Sequence, residues 1–219
     1  MISDDPFSNL KTGFLDGSLI AVATRPSIYL PPDAPWHWLV QADELRGSAL
    51  PVSLMLLRMD SMAKSKGRVT KIGYDKFGYD SGEVFSLGRI AVKEALDRLV
   101  AGGLISVEKR PGCKVLVKVR ELKIGEGTPQ KALFIGKPIP WGWVCEAAKA
   151  PTPSLIIGLA AWRYASRGNW EANIAINPLE GSTRSAKSLR RGARELQSRG
   201  LLCVLPSAPG FIRVKILNR

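Results

Sequence analysis

The chain has 219 residues, 45% of them hydrophobic, with 32 Lys/Arg against 19 Asp/Glu for a formal charge of +13. No apolar run reaches the roughly 18–20 residues needed to span a bilayer, and residues 1–5 lack the basic-then-apolar start of a secretory signal. The three cysteines, Cys113, Cys145 and Cys203, form no CxxC pair, which argues against a disulfide framework or zinc site and for a reducing cytoplasm.

Residues 1–34 hold Pro6, Pro26, Pro31 and Pro32 without sustained periodicity, and read as an extended N-terminal arm. The pattern then predicts a helix over 51–64, with Leu54, Leu57 and Met62 facing inward. A turn-rich stretch over 67–83 follows, with room for one short helix around Lys76. A helix over 87–101 stops at Gly102-Gly103. Two short strands, 104–109 and 114–119, are joined at Arg110-Pro111-Gly112-Cys113, a hairpin signal. Residues 120–139 mix charge, Gly and Pro and read as a linker. Beyond it come a helix over 154–166, a polar stretch with Asn177-Pro178 and Gly181, a helix over 185–198 stopped by Gly200, and a hairpin turning at Pro209-Gly210.

The two halves repeat one another. Pro35-Trp36-His37-Trp38-Leu39 returns as Pro140-Trp141-Gly142-Trp143-Val144. The stripe Val92, Ala95, Leu96, Leu99 leading to Gly103-Leu104 returns as Leu189, Gly192, Ala193, Leu196 leading to Gly200-Leu201. Each stripe has the i, i+3, i+4, i+7 spacing of one helix face. The matched position of the Trp pairs ahead of the first helix assigns them to a core or staple role, with stacking on single-stranded bases as the alternative. Helix, short helix or turn, helix, two-stranded hairpin is the winged helix-turn-helix plan. The expected fold is therefore α+β: two tandem winged-helix domains, each a three-helix core with a β-hairpin wing, at 35–119 and 140–219.

The charge is unevenly placed. Residues 1–60 carry four Lys/Arg against seven Asp/Glu, whereas residues 184–219 carry nine against one. A concentrated basic surface attracts phosphate backbone and releases condensed counterions on binding. Double-stranded DNA is the expected partner.

The passage Ser86-Leu87-Gly88-Arg89-Ile90-Ala91-Val92-Lys93-Glu94-Ala95-Leu96 resembles the recognition helix of the GntR-type winged-helix repressors. Their pattern is Ser-Arg, two variable residues, then Val-Arg-Glu-Ala-Leu. Arg89, Val92, Glu94, Ala95 and Leu96 match it, while Lys93 replaces an Arg and Gly88 a Ser. The run from Gly103 to Gly112 resembles that family's wing. Nothing later in the chain looks like its effector-binding domain, so no small-molecule effector is expected. The second copy, from Ser182, is similar to winged-helix domains of bacterial mobile elements, and the tandem layout resembles plasmid replication initiators.

The two recognition helices differ. Opposite the apolar stripe of the second lie Arg184, Lys187, Arg191 and Arg194, with Arg190 on the flank. The same face of the first holds Ile90, Glu94 and Asp97, with Arg89 and Lys93 to one side. Recognition helices present their N-terminal turns to the major groove, where Arg on guanine is the commonest specific contact. Expected DNA contacts are Arg89 and Lys93, with Arg110 and Lys114 on the wing, in domain one. In domain two they are Arg184, Lys187 and Arg191 for bases and Arg190 and Arg194 for phosphates.

One histidine, no Walker or GxGxxG loop and scattered carboxylates supply no catalytic or metal set, so an enzyme is not expected, nor any cofactor. The favoured expectation is a bacterial or mobile-element transcriptional regulator, nucleoid-associated in the cytoplasm, using its two domains as a pseudo-dimer. The alternatives are a replication initiator or partition factor assembling on repeated sites, with homodimers possible, and a protein-protein adaptor.

Overall fold

In a computed structural model, the residues described are 29–64, 71–72, 87–108, 115–119 and 134–217. The class is α+β: six helices and small antiparallel sheets among the described residues. The elements are β1 (Tyr29–Leu30), α1 (Trp36–Glu44), α2 (Ala49–Lys64), β2 (Lys71–Ile72), α3 (Arg89–Ala101), β3 (Ile105–Glu108) and β4 (Val115–Val119). A second series follows: β5 (Ile139–Pro140), α4 (Trp141–Ala148), α5 (Thr152–Tyr164), β6 (Glu171–Ala175), α6 (Ala186–Ser198), β7 (Leu202–Leu205) and β8 (Phe211–Ile216). None of these helices is long and apolar enough to cross a membrane.

The tryptophan pairs open the first helix of each unit rather than precede it. Pro35 and Pro140 occupy the N-cap positions of α1 and α4. The Trp-x-Trp alternation reads locally as period two, and helices of nine and eight residues are marginal alone. Packing decides the matter: Trp36, Trp38, Trp141 and Trp143 are all buried. Trp38 donates its indole N–H to the Leu104 carbonyl, 3.1 Å away, and Trp143 meets Trp162 edge-on at 5.7 Å. Burial fits the core role and removes these rings from stacking on bases.

The helix α5 meets the core differently from α3 and α6. Every position of α5 from Ser154 to Trp162 is buried, as an all-round apolar helix requires. It packs on α1, α4, α6 and β6. By contrast α3 and α6 bury one stripe each: Val92, Ala95, Leu96 and Leu99, and Leu189, Gly192, Ala193 and Leu196. The α5–α6 contact is close because Gly192 has no Cβ. A methyl there would meet the Pro153 carbonyl carbon and oxygen at 2.7 Å.

Both stripe helices end alike. Gly103 and Gly200 take φ of 72° and 69°. Leu104 N–H bonds the Leu99 carbonyl and Leu201 N–H bonds that of Leu196, the six-to-one closure of a Schellman motif. The chain then enters a hairpin. Each hairpin takes on a third strand from earlier in its unit, giving the orders β2-β4-β3 and β6-β8-β7. These third strands lie in stretches expected to be polar or turn-rich. In β6 the burial alternates along Glu171, Ala172, Asn173, Ile174 and Ala175, but Ala and Asn make that alternation faint in sequence. The expected short helix around Lys76 lies outside the described residues, as do most of the arm (1–28) and of the linker (120–133).

The units are fused. One continuous core runs through both. Tyr29 and Leu30, at the end of the expected arm, pair antiparallel with Pro140 and Ile139. Pro35 bridges to Phe134, and Ile135 N–H bonds the Ala34 carbonyl at 3.1 Å.

Candidate nucleic-acid interface

Aligned on their glycine stops, α3 and α6 correspond position by position at a separation of 97 residues. Lys187 stands where the first unit has Ile90, Arg190 where it has Lys93, Arg191 where it has Glu94, and Arg194 where it has Asp97. All eight side chains are exposed, Ile90 to 76%. Among the described residues no carboxylate lies within ion-pair distance of Lys187, Arg190, Arg191 or Arg194. The acid on that helix, Glu195, is held by Arg199 one turn further on at 3.2 Å. Lys187, Arg191 and Arg194 thus stand on the face opposite the buried stripe, with Arg190 on its flank. Ser185 begins the helix, its hydroxyl oxygen accepting from Ser188 N–H at 3.2 Å. That cap leaves the first turn well formed beneath Lys187.

The face of α3 is mixed. Arg89 and Lys93 are exposed near its start, as expected, but Glu94 and Asp97 share the surface. Glu94 lies 3.9 Å from Arg98. Arg110 and Lys114 lie outside the described residues. On the second sheet Phe211, Arg213 and Lys215 alternate on the exposed side, and Arg213 pairs with Glu171 at 2.7 Å.

Arg184 departs from the expectation. Its guanidinium is turned away from the basic face and grips Asp43 of α1, with Nε to Oδ2 at 2.8 Å and Nη2 to Oδ1 at 2.9 Å. The side chains are 9% and 0% exposed. Arg184 precedes the helix, so its side chain is not bound to follow the helical projection that grouped it with Lys187 and Arg191. Burial pushes the Asp43 carboxyl above its ordinary value, while hydrogen bonding and charge from Arg184 pull it back. The two-point geometry is that of a carboxylate paired with a guanidinium.

Next to it, Glu44 accepts hydrogen bonds from Thr183 N–H at 2.8 Å, the Thr183 hydroxyl and the Ser182 hydroxyl at 3.2 Å. Burial would raise the Glu44 carboxyl, but these bonds and the nearby Arg46 outweigh it and hold it below its ordinary range. Asp43 and Glu44 together fasten the approach to α6 onto the first unit.

Two further arginines escaped the sequence reading. Arg58 of α2 lies over the Trp141 ring, 4.4 Å from its centroid, and Arg163 of α5 lies 5.0 Å from that of Trp36. The signal was present: Arg58 and Arg163 are 105 residues apart, as are Trp36 and Trp141. Among the described residues no group of three or more His, Cys, Asp or Glu could hold a metal ion.

Comparison of the chain with protein-family models, with curated proteins and with solved structures finds no match.

Proposed function

We propose that this chain is a sequence-specific double-stranded DNA-binding protein, a transcriptional regulator of bacterial or mobile-element type built from two winged-helix units. One observation carries the reading: Lys187, Arg191 and Arg194 are exposed together on one helix face with Arg190 on its flank, unneutralised by any described carboxylate. A phosphate backbone is the polyanion that matches such a stripe, and guanine edges accept what arginine donates.

The element order supports the winged-helix assignment. In each unit a buried helix, a strand, a one-sided helix and a hairpin follow in turn, and the early strand joins the hairpin beside its last strand. In this reading α3 and α6 are the recognition helices and the paired strands β3–β4 and β7–β8 belong to the wings. Lys187 and Arg191 reach bases, Arg190 and Arg194 reach phosphates, and Arg89 and Lys93 serve the first unit. Arg184 drops out of the contact set because it holds the units together.

A titration of the full chain with labelled duplex at two salt concentrations tests this. Binding should weaken steeply with salt, by about 0.9 in log–log slope for each phosphate neutralised. Failure to bind any duplex at low salt would refute the reading.

A further inference from the structure

We infer that the two recognition helices meet DNA with opposite polarity, as the unequal halves of an inverted site bound by a single chain. The inference rests on the duplex-DNA reading above and adds the geometry of the site to it.

Two units of one plan can join head to tail or about a two-fold axis. Head to tail, a patch of the first touches a different patch of the second, and the converse pair is never formed. About a two-fold axis every contact occurs twice with the roles exchanged. At the seam between these units, ring and backbone contacts are exchanged in this way. Arg58 covers Trp141, and Arg163 covers Trp36. Tyr29 pairs with Pro140, and Phe134 pairs with Pro35. Leu30 pairs with Ile139, and Ile135 bonds Ala34. In all three cases the equivalent residues lie 105 positions apart: Arg58 and Arg163, Trp36 and Trp141, Tyr29 and Phe134, Pro35 and Pro140, Leu30 and Ile135, Ala34 and Ile139. Two separate reciprocal contacts, the arginine–tryptophan pair and the backbone pairing with its two successive register positions, define an approximate two-fold axis within one chain. A protein two-fold is mirrored by inverted half-sites on DNA, because the duplex has its own dyads perpendicular to its axis.

The halves are nonetheless unequal in sequence. Where α6 offers Lys187 and Arg191, suited to guanine, α3 offers the exposed Ile90, suited to a thymine methyl, and Glu94, suited to a cytosine amino group. The Asp43–Arg184 clasp also has no counterpart, since Ala148 and Leu87 occupy the equivalent positions. The symmetry therefore governs orientation, and the divergent faces govern what each half reads.

The test grafts the second face onto the first in the full chain: Ile90→Lys, Lys93→Arg, Glu94→Arg, Asp97→Arg and Arg98→Glu, the last keeping the acid of the α6 pattern. Wild type and variant each select sites from a random duplex pool. The wild type should enrich two different half-sites. The variant should enrich one motif twice in inverted orientation, preferring it at least about tenfold over the same motif in direct orientation. A direct repeat, or a single half-site, overturns the two-fold inference and leaves DNA binding intact. No enrichment by the wild type overturns both.

A second measurement does not depend on the graft folding. A DNA-cleaving iron chelate is attached at Ala101→Cys or at Ser198→Cys, with Cys113, Cys145 and Cys203 replaced. The two cleavage patterns should be displaced in opposite directions from the centres of their half-sites. Displacement in the same direction would overturn the inference.

Discussion

Arg184 and Asp43 stand 141 positions apart in the chain and meet through two short hydrogen bonds, at 2.8 and 2.9 Å, in the seam between the units. The pair anchors the entry to α6 on the last turn of α1. It makes the direction of the basic helix a property of the whole molecule rather than of the second unit alone.

Removing one partner should therefore be costly. Asp43→Ala leaves a nearly buried guanidinium uncompensated, and such truncations cost about 3–5 kcal/mol. Arg184→Ala should cost a similar amount, and the double variant less than the sum of the two. Urea unfolding of the four proteins measures this directly. Additive losses would mean that the two groups do not act as a pair.

Glu44 gives a pH signature. Its folded carboxyl is held below the ordinary range, so its contribution is present above the unfolded value and is lost as pH falls through the folded one. Asp43, held above its ordinary value, runs the other way: its contribution is present at low pH and is lost as pH rises through its folded value. Comparison with Glu44→Gln separates the two. The variant should be less stable than wild type by about 1 kcal/mol near neutral pH. The gap should close as pH falls below the ordinary carboxylate range. A gap constant with pH would show that the charge on Glu44 is not what the Ser182 and Thr183 donors stabilise.

Gly192 and Gly142 should respond oppositely to alanine. A Cβ at Gly192 meets backbone atoms of Pro153 at 2.7 Å, and the α5–α6 crossing must open by about 1–3 kcal/mol of strain. At Gly142 on α4 a Cβ meets nothing within 4 Å, so alanine should be neutral or stabilise the helix by about 0.5 kcal/mol. Thermal melts of the two variants check this. A Gly192→Ala protein as stable as wild type would mean that the crossing is looser than described.

What the sequence revealed and what it hid follow from the range of the forces involved. The stripes of α3 and α6, their glycine stops and their hairpins are local patterns, and they stand where periodicity put them. The helices α1 and α4 are too short to announce themselves, and Trp-x-Trp imitates a strand until both rings are buried by the rest of the fold. In β6 the inward residues include Ala172, too small to mark a strand. Lys187, Arg190, Arg191 and Arg194 were legible because a helix face is a local property. Arg184 was not, because its partner belongs to the other unit and Asp43 has no repeated counterpart to betray it.

In the proposed function, duplex DNA is held chiefly by the α6 face. The most direct measurement compares two full-length variants on one duplex at one salt concentration: Lys187/Arg191→Ala and Arg89/Lys93→Ala. With each lost base contact worth about 1–3 kcal/mol, the α6 pair should weaken binding by about a hundredfold or more and the α3 pair by about tenfold. Equal losses, a larger loss from Arg89 and Lys93, or no duplex binding by the wild type would contradict the account.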